Sequence, residues 1–177
     1  QHGVNLLFEA SVGGGIPIIR PLKRCLAANR ITEVMGIVNG TTNYMLDKMT
    51  TDGVDFATVL AEAQAKGFAE ADPTADVGGW DAARKIAILA SIAFGTRVSL
   101  EDVSVEGITR IEPEDIDYGR ELDYVVKLLA IAQEKEKGVN ARVHPAFIHK
   151  SHPLAAVRDV FNAIFVRGDA VGDTMFY

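Results

Sequence analysis

A chain of 177 residues, 48% hydrophobic and 24% charged, has ordinary globular proportions and the length for one domain with a sizeable core, which excludes a disordered chain. The net charge of -6 without a dense Lys/Arg block excludes a phosphate-tracking nucleic-acid binder, and the longest apolar run, Ile86 to Phe94, stops at Gly95 and Arg97, too short to span a bilayer. The single cysteine, Cys25, can form neither an internal disulfide nor a multi-thiol zinc knuckle, so a reducing compartment, the cytoplasm, is expected.

The chain opens on QHGVNLLFEAS, without a methionine, a basic n-region or a cleavage site, and reads as a segment of a longer polypeptide. Val4 to Val12 is short, β-rich and closed by Gly13, Gly14 and Gly15, which predicts a strand. After Pro17, a helix is expected in which Ile18, Leu22, Cys25 and Leu26 share a face. Ile31 to Asn39 predicts a second strand. Thr41 or Thr42 then caps a helix stopped by Gly53, and Asp55 caps another stopped by Gly67. The run DAARKIAILASIAF from Asp81 is apolar almost all round, so its helix, starting near Asp76, belongs at the centre of the molecule. Strand-like runs follow at Val103 to Ile111, Tyr124 to Gln133, Val139 to Ile148 and Val160 to Arg167, with a hairpin at Lys135 to Gly138. Helices in the first half and strands in the second predict one α+β domain over residues 1–177, with a mostly antiparallel mixed sheet carrying helices on one face. The other face is available to a second subunit, so a homodimer through the sheet is expected.

The segment GFAEADPTADVGGWDAARK, residues 67–85, carries the chemistry. Glu70, Asp72, Asp76 and Asp81 lie so close in sequence that they repel unless water, a cation or a substrate separates them. Asp81 and Lys85 are one helical turn apart, and the stem of Lys85 must lie along the buried face that continues through Ile88, Leu89 and Ile92. A lysine so placed can have a lowered pKa, the condition for proton transfer near neutrality. The bland reading is a solvated acidic loop that caps a helix. The sharp one is a site for a small substrate bearing an amine and a hydroxyl. The stretch ASVGGGIP lacks G-x-G-x-x-G and a phosphate-loop ending, so it reads either as a plain turn or as a hard-cation site built from the carbonyls of Val12, Gly14 and Ile16 with the Glu9 carboxylate. His2, His144, His149 and His152 show no metal-ligand spacing, and no G-x-S-x-G elbow is present.

Four stretches, FEASVGGGIPII (8–19), GIVNGTTNYML (36–46), AKGFAEADPTADVGGWDAARK (65–85) and FNAIFVRGDAVGDTMFY (161–177), resemble the homoserine dehydrogenase family in order and spacing over nearly the whole chain. The resemblance implies reversible oxidation of L-homoserine to L-aspartate 4-semialdehyde with NAD or NADP, in threonine, methionine and isoleucine biosynthesis. It also implies the fold of the C-terminal catalytic domain of glyceraldehyde-3-phosphate-dehydrogenase-like enzymes. On this resemblance Lys85 is the catalytic proton donor and acceptor. Glu70 and Asp81 bind homoserine, with Asp76 and Asp72 in the surrounding network. Gly67, Gly40 and Thr41 contact the cofactor, and Glu9, Val12, Gly14 and Ile16 are the sodium ligands. Phe68 stands where many members have tyrosine, and Trp80 is bulkier than the usual residue. The family's dinucleotide-binding half, its second active-site lysine and the glycine-rich segment expected after Tyr177 are not in this sequence. The chain alone is therefore expected to lack activity, and the competing reading is a dimerisation and ligand-holding module.

Overall fold

The computed structural model describes residues 3, 4 and 6–177. Gln1, His2 and Asn5, the last within the first expected strand, lie outside the described residues. Capping chemistry sets the helix ends. Asn39 caps α1 (Gly40–Asp52) by accepting from the Thr42 N–H, and Gly53 closes it in the left-handed region with its N–H on the Met49 carbonyl. Asp55 caps α2 (Phe56–Ala65) through the Thr58 N–H. The short α3 (Thr74–Val77) precedes α4 (Trp80–Ala93), where Ala82, Ala83, Ile86, Ala87, Leu89 and Ala90 are buried. α5 (Pro113–Glu121) starts on a proline, whose missing N–H is no loss there, behind a capping box between Glu112 and Asp115.

Among the described residues six strands form one sheet: β1 (Ile31–Ile37), β2 (Val103–Val105), β3 (Tyr124–Lys135), β4 (Gly138–His149), β5 (Ala163–Gly168) and β6 (Gly172–Phe176). Their order is β2-β4-β3-β1-β5-β6; β2 pairs with β4 in parallel and the other four pairings of these strands are antiparallel. The β3–β4 hairpin keeps continuous register from Lys135 opposite Gly138 to Tyr124 opposite His149. Alternation along β3 sends Val126, Leu128, Ala130 and Ala132 to the main core with Ile86 and Leu89 of α4. Leu129 and Ile131 join a second cluster on the opposite face, covered in part by Leu154, Ala155 and Val157. α4 packs against β1, β2, β3 and β4, so the nearly all-apolar helix is central and the predicted α+β, mostly antiparallel architecture is the one observed.

Several local expectations are corrected. Val4 to Val12 is irregular rather than a strand: Leu6 and Leu7 are 82% and 90% exposed, and no described strand pairs with the segment. The expected helix after Pro17 shrinks to one wide turn, Pro21–Cys25, closed by the Leu26 N–H on the Pro21 carbonyl at 2.9 Å. Pro21 has no N–H to extend a ladder backwards, and Cys25 is exposed rather than on the buried stripe. The helix expected from near Asp76 is split at Gly79, whose φ of 82° ends α3 and aims α4 afresh. Val103 to Ile111 stops being a strand at Val105 because Gly107 presses against α3, where a Cβ would overlap the Val77 carbonyl. The Ile108 N–H then bonds that same carbonyl at 2.8 Å, so this β-rich stretch anchors α3 instead of widening the sheet. Val160 to Arg167 becomes a strand only from Ala163, since the Asn43 amide donates to the carbonyls of Val157, Asp159 and Phe161 and holds them in a loop. α5 and β6 are elements that the sequence patterns above do not predict.

Candidate active site

The site lies where the end of β1 meets the start of α4. Lys85 Nζ is 2.7 Å from Asp81 Oδ2, one turn earlier on α4, and donates at 2.8 Å to the carbonyl of Val38, the residue after β1. The two side chains are 23% and 30% exposed, so the pair is screened less than a surface ion pair yet remains reachable. A protonated lysine has three donors, and these two contacts leave one for a substrate oxygen.

The close-packed acids are held apart by an amide. Asn39 Nδ2 donates to Asp76 Oδ1 at 2.7 Å and to Asp81 Oδ2 at 2.9 Å, so its two N–H groups serve one carboxylate each. The Asn39 Oδ1 accepts from the Thr42 N–H at 2.9 Å and lies 2.9 Å from the Thr42 hydroxyl, which fixes which end of the amide faces the acids. Sequence reasoning missed this residue by placing the cap on Thr41 or Thr42. An asparagine just before a helical run is itself a cap signal, but its acidic partners are 37 and 42 residues away, outside any local pattern.

The other predicted residues fall into smaller groups. Asp72 turns back on the start of α3, accepting from the Thr74 N–H at 3.1 Å, and the hydrogen bonds from Thr74 hold its carboxyl below the usual carboxylate range. Glu70 is exposed, and its carbonyl accepts from Gln64 Nε2 at 3.0 Å. Among the described residues neither Glu70 nor Asp72 is bonded to Lys85, so the lysine's direct carboxylate partner is Asp81. The three residues expected at the cofactor are tied together. The Thr41 hydroxyl donates to the Phe68 carbonyl at 2.7 Å, joining the Gly40–Thr41 turn to the Gly67–Phe68 turn. Gly40 is pressed on the 157–161 loop, where an added Cβ would sit 2.6 Å from the Val160 carbonyl oxygen, and Gly67 leaves its backbone open. Phe68 stacks edge-on with Tyr44, ring centres 5.0 Å apart.

At the glycine turn, the Glu9 carboxylate accepts from the N–H groups of Ile19 at 2.6 Å and Arg20 at 3.0 Å, and the Gly13 carbonyl accepts from Ile16 at 3.0 Å. Among the described residues no three His, Cys, Asp or Glu side chains gather as a metal site, and no helix is long and apolar enough to cross a membrane.

The family model for homoserine dehydrogenase matches residues 17–177. The chain belongs to the homoserine dehydrogenase family. It is 56% identical to a homoserine dehydrogenase of Synechocystis, covering 100% of this chain and 42% of that protein. The fold superposes on the crystal structure of a homoserine dehydrogenase from Thiobacillus denitrificans with a TM-score of 0.94 and 49% identity, covering 96% of this chain and 39% of that one. A hyperthermophilic archaeal homoserine dehydrogenase mutant solved in complex with NADPH matches with a TM-score of 0.80 at 28% identity, over 96% of this chain and 48% of that one. The chain thus spans about two-fifths of the length of the curated relatives it matches.

Proposed function

We propose that this chain is the substrate-binding and catalytic part of a cytoplasmic NAD(P)-dependent homoserine dehydrogenase that oxidises L-homoserine reversibly to L-aspartate 4-semialdehyde, in the supply of threonine, methionine and isoleucine. The observation that carries the reading is a partly buried but reachable Lys85 with two of its donors fixed on Asp81 and Val38 and the third available. Oxidation removes a hydride from the hydroxyl-bearing carbon of homoserine and a proton from its oxygen. Lys85 Nζ takes that proton, and in the reverse direction returns it to the carbonyl oxygen. Glu70 and the second oxygen of Asp81 bind the polar groups of homoserine, while Asp76 and Asp72 complete the acidic surround. The nicotinamide, when bound, supplies the hydride acceptor. Gly67, Gly40 and Thr41 fit its edge, because the Thr41–Phe68 bond brings the Gly40–Thr41 turn beside the open backbone at Gly67.

Sodium fits the glycine turn on the chemistry of the donors: one carboxylate, each oxygen of which keeps a lone pair beyond its N–H bond, and the neutral carbonyls of Val12, Gly14 and Ile16. A homodimer forms through the sheet face opposite the helices, beside the Leu154–Val157 cover, where Met35 and Met175 stay partly exposed.

The full-length protein should reduce NAD or NADP when given homoserine and sediment as a dimer. Lys85→Met should lower kcat by about a hundredfold or more, the size of a lost general acid–base group. Wild-type rates in Lys85→Met would sink the assignment. The span of 42% of the Synechocystis relative favours a second reading for the 177-residue chain by itself, a ligand-holding module. It predicts homoserine binding without turnover, since hydride transfer requires the nicotinamide to be held at reacting distance.

A further inference from the structure

The geometry points to Asn39 as the positioning residue of this site: its side-chain amide spaces Asp76 and Asp81 and sets the Asp81 carboxylate beside Lys85. The inference rests on the homoserine dehydrogenase reading for its kinetic consequence, but not for the spacing itself.

Asn39 is 6% exposed, and each polar atom of its amide is used. On one side the carbonyl end is held by the N–H and hydroxyl of Thr42 in the first turn of α1. On the other, the nitrogen meets one carboxylate from α3 and one from α4. The charged groups facing this amide are therefore Asp76, Asp81 and, through the shared Oδ2 of Asp81, Lys85. β1 and α1 contribute neutral groups, the Val38 carbonyl and Thr42. Two carboxylates that share one donor nitrogen are held apart with a neutral dipole between them, which lessens their mutual repulsion. The same bond leaves Oδ1 of Asp81 as the oxygen for substrate. Asn39 also starts the turn that contains Gly40 and Thr41, so one side chain sets both the acid that faces substrate and the backbone on the cofactor side.

A plain helix cap would need only the carbonyl end, and this separates the two roles. Aspartate caps a helix as well as asparagine, so Asn39→Asp preserves capping while replacing the amide donor by a third carboxylate. Asn39→Ser also retains a capping oxygen, but its side chain is shorter and carries one O–H in place of two N–H groups, so it cannot serve both carboxylates. In the full-length protein with NADP and homoserine, both variants should lose roughly tenfold to a hundredfold in kcat/KM, with kcat itself reduced, the scale of a misplaced reacting group. The loss in Asn39→Asp should shrink as pH falls and the new carboxyl takes up the proton that lets it donate. Asn39→Ser should show no such recovery.

Urea unfolding gives a readout that needs no turnover. Asn39→Asp should be destabilised relative to the parent at about pH 7 and should approach it toward about pH 4, because mutual repulsion raises the carboxyl pKa in the folded state above its unfolded value. Parent-like kinetics and parent-like unfolding in both variants, with a defect in Asn39→Ala alone, would reduce Asn39 to a cap and overturn the inference. A parent protein that does not oxidise homoserine would instead refute the functional reading, and the spacing role would still be decided by the unfolding arm.

Discussion

Lys127 offers the sharpest test of the physics of the fold. It lies in the middle of β3, 3% exposed, with Nζ donating to Asn43 Oδ1 at 2.9 Å and to the Val157 carbonyl at 2.6 Å. Both partners are neutral. Burial pushes the ammonium down from 10.5 to about 8, with Asp47 acting to raise it and Arg158 to lower it further. A folded pKa below the unfolded one means that charging this group opposes folding. Below about pH 8 both states hold the proton and the full penalty is present. Between about 8 and 10.5 the unfolded chain keeps a proton that the folded chain has released, so stability rises with pH through that window. The interval corresponds to about 3 kcal/mol at 1.36 kcal/mol per pKa unit. Other lysines and tyrosines titrate in the same range, so the quantity to measure is the difference between the parent and Lys127→Met. Urea unfolding of both at several pH values should show the parent gaining about 3 kcal/mol on the variant across the window. The offset at neutral pH also contains the packing and hydrogen bonds lost with the side chain, whereas the pH slope reports the proton that the folded chain releases and the unfolded chain keeps. A difference that stays flat from pH 7 to pH 10 would refute the claim that this ammonium is desolvated in the folded state.

Gly107→Ala should destabilise the chain by about 1–3 kcal/mol in urea unfolding, because the new methyl must displace the Val77 carbonyl or the Gly78 backbone. Since those atoms belong to α3 and its end, turnover should fall further than lost stability accounts for, and unchanged stability would contradict the packing. At the glycine turn, thermal midpoints should rise with sodium and not with tetramethylammonium at equal ionic strength, following the logarithm of sodium concentration. Glu9→Gln should flatten that response, and identical midpoints in the two salts would remove sodium from the site.

The parts of this molecule legible in its sequence are those specified by local chemistry. Asp55, Gly53 and Gly67 punctuate α1 and α2 as their capping preferences dictate, and the Lys135–Gly138 turn fixes the hairpin. The near-absence of polar residues from α4 sufficed to place it at the centre, and its one-turn spacing sufficed to pair Asp81 with Lys85. Misread segments depend on partners far along the chain. Val103 to Ile111 has strand composition throughout, yet it leaves the sheet where α3 arrives at Gly107. The 157–161 loop also has strand-like residues, but its carbonyls are claimed by Asn43, more than a hundred positions earlier. Asn39 was invisible for the same reason. Residue type can announce a cap, but only the packed structure shows that the other end of the amide holds two acids.

The bonds around Lys85 also bear on the proposed function, because they would let a proton move there without disturbing the fold. Val38 is 1% exposed and follows the last residue of β1, so its carbonyl has left the sheet ladder and needs a donor within the protein. Lys85 supplies that donor, and a second one to Asp81. An ammonium has three N–H groups and a neutral amine has two plus a lone pair. Two donors are enough to keep both structural bonds, so under the proposed function the third position is the one that would face the substrate oxygen. On the proposed function, the proton leaves from the position that neither structural bond uses, which is the arrangement a reversible proton transfer requires. Lys127 likewise holds two acceptors, but at 3% exposure its ammonium is buried between neutral partners. The contrast assigns the two lysines different work: one closes a gap in the core, and the other leaves a donor within reach of a small molecule.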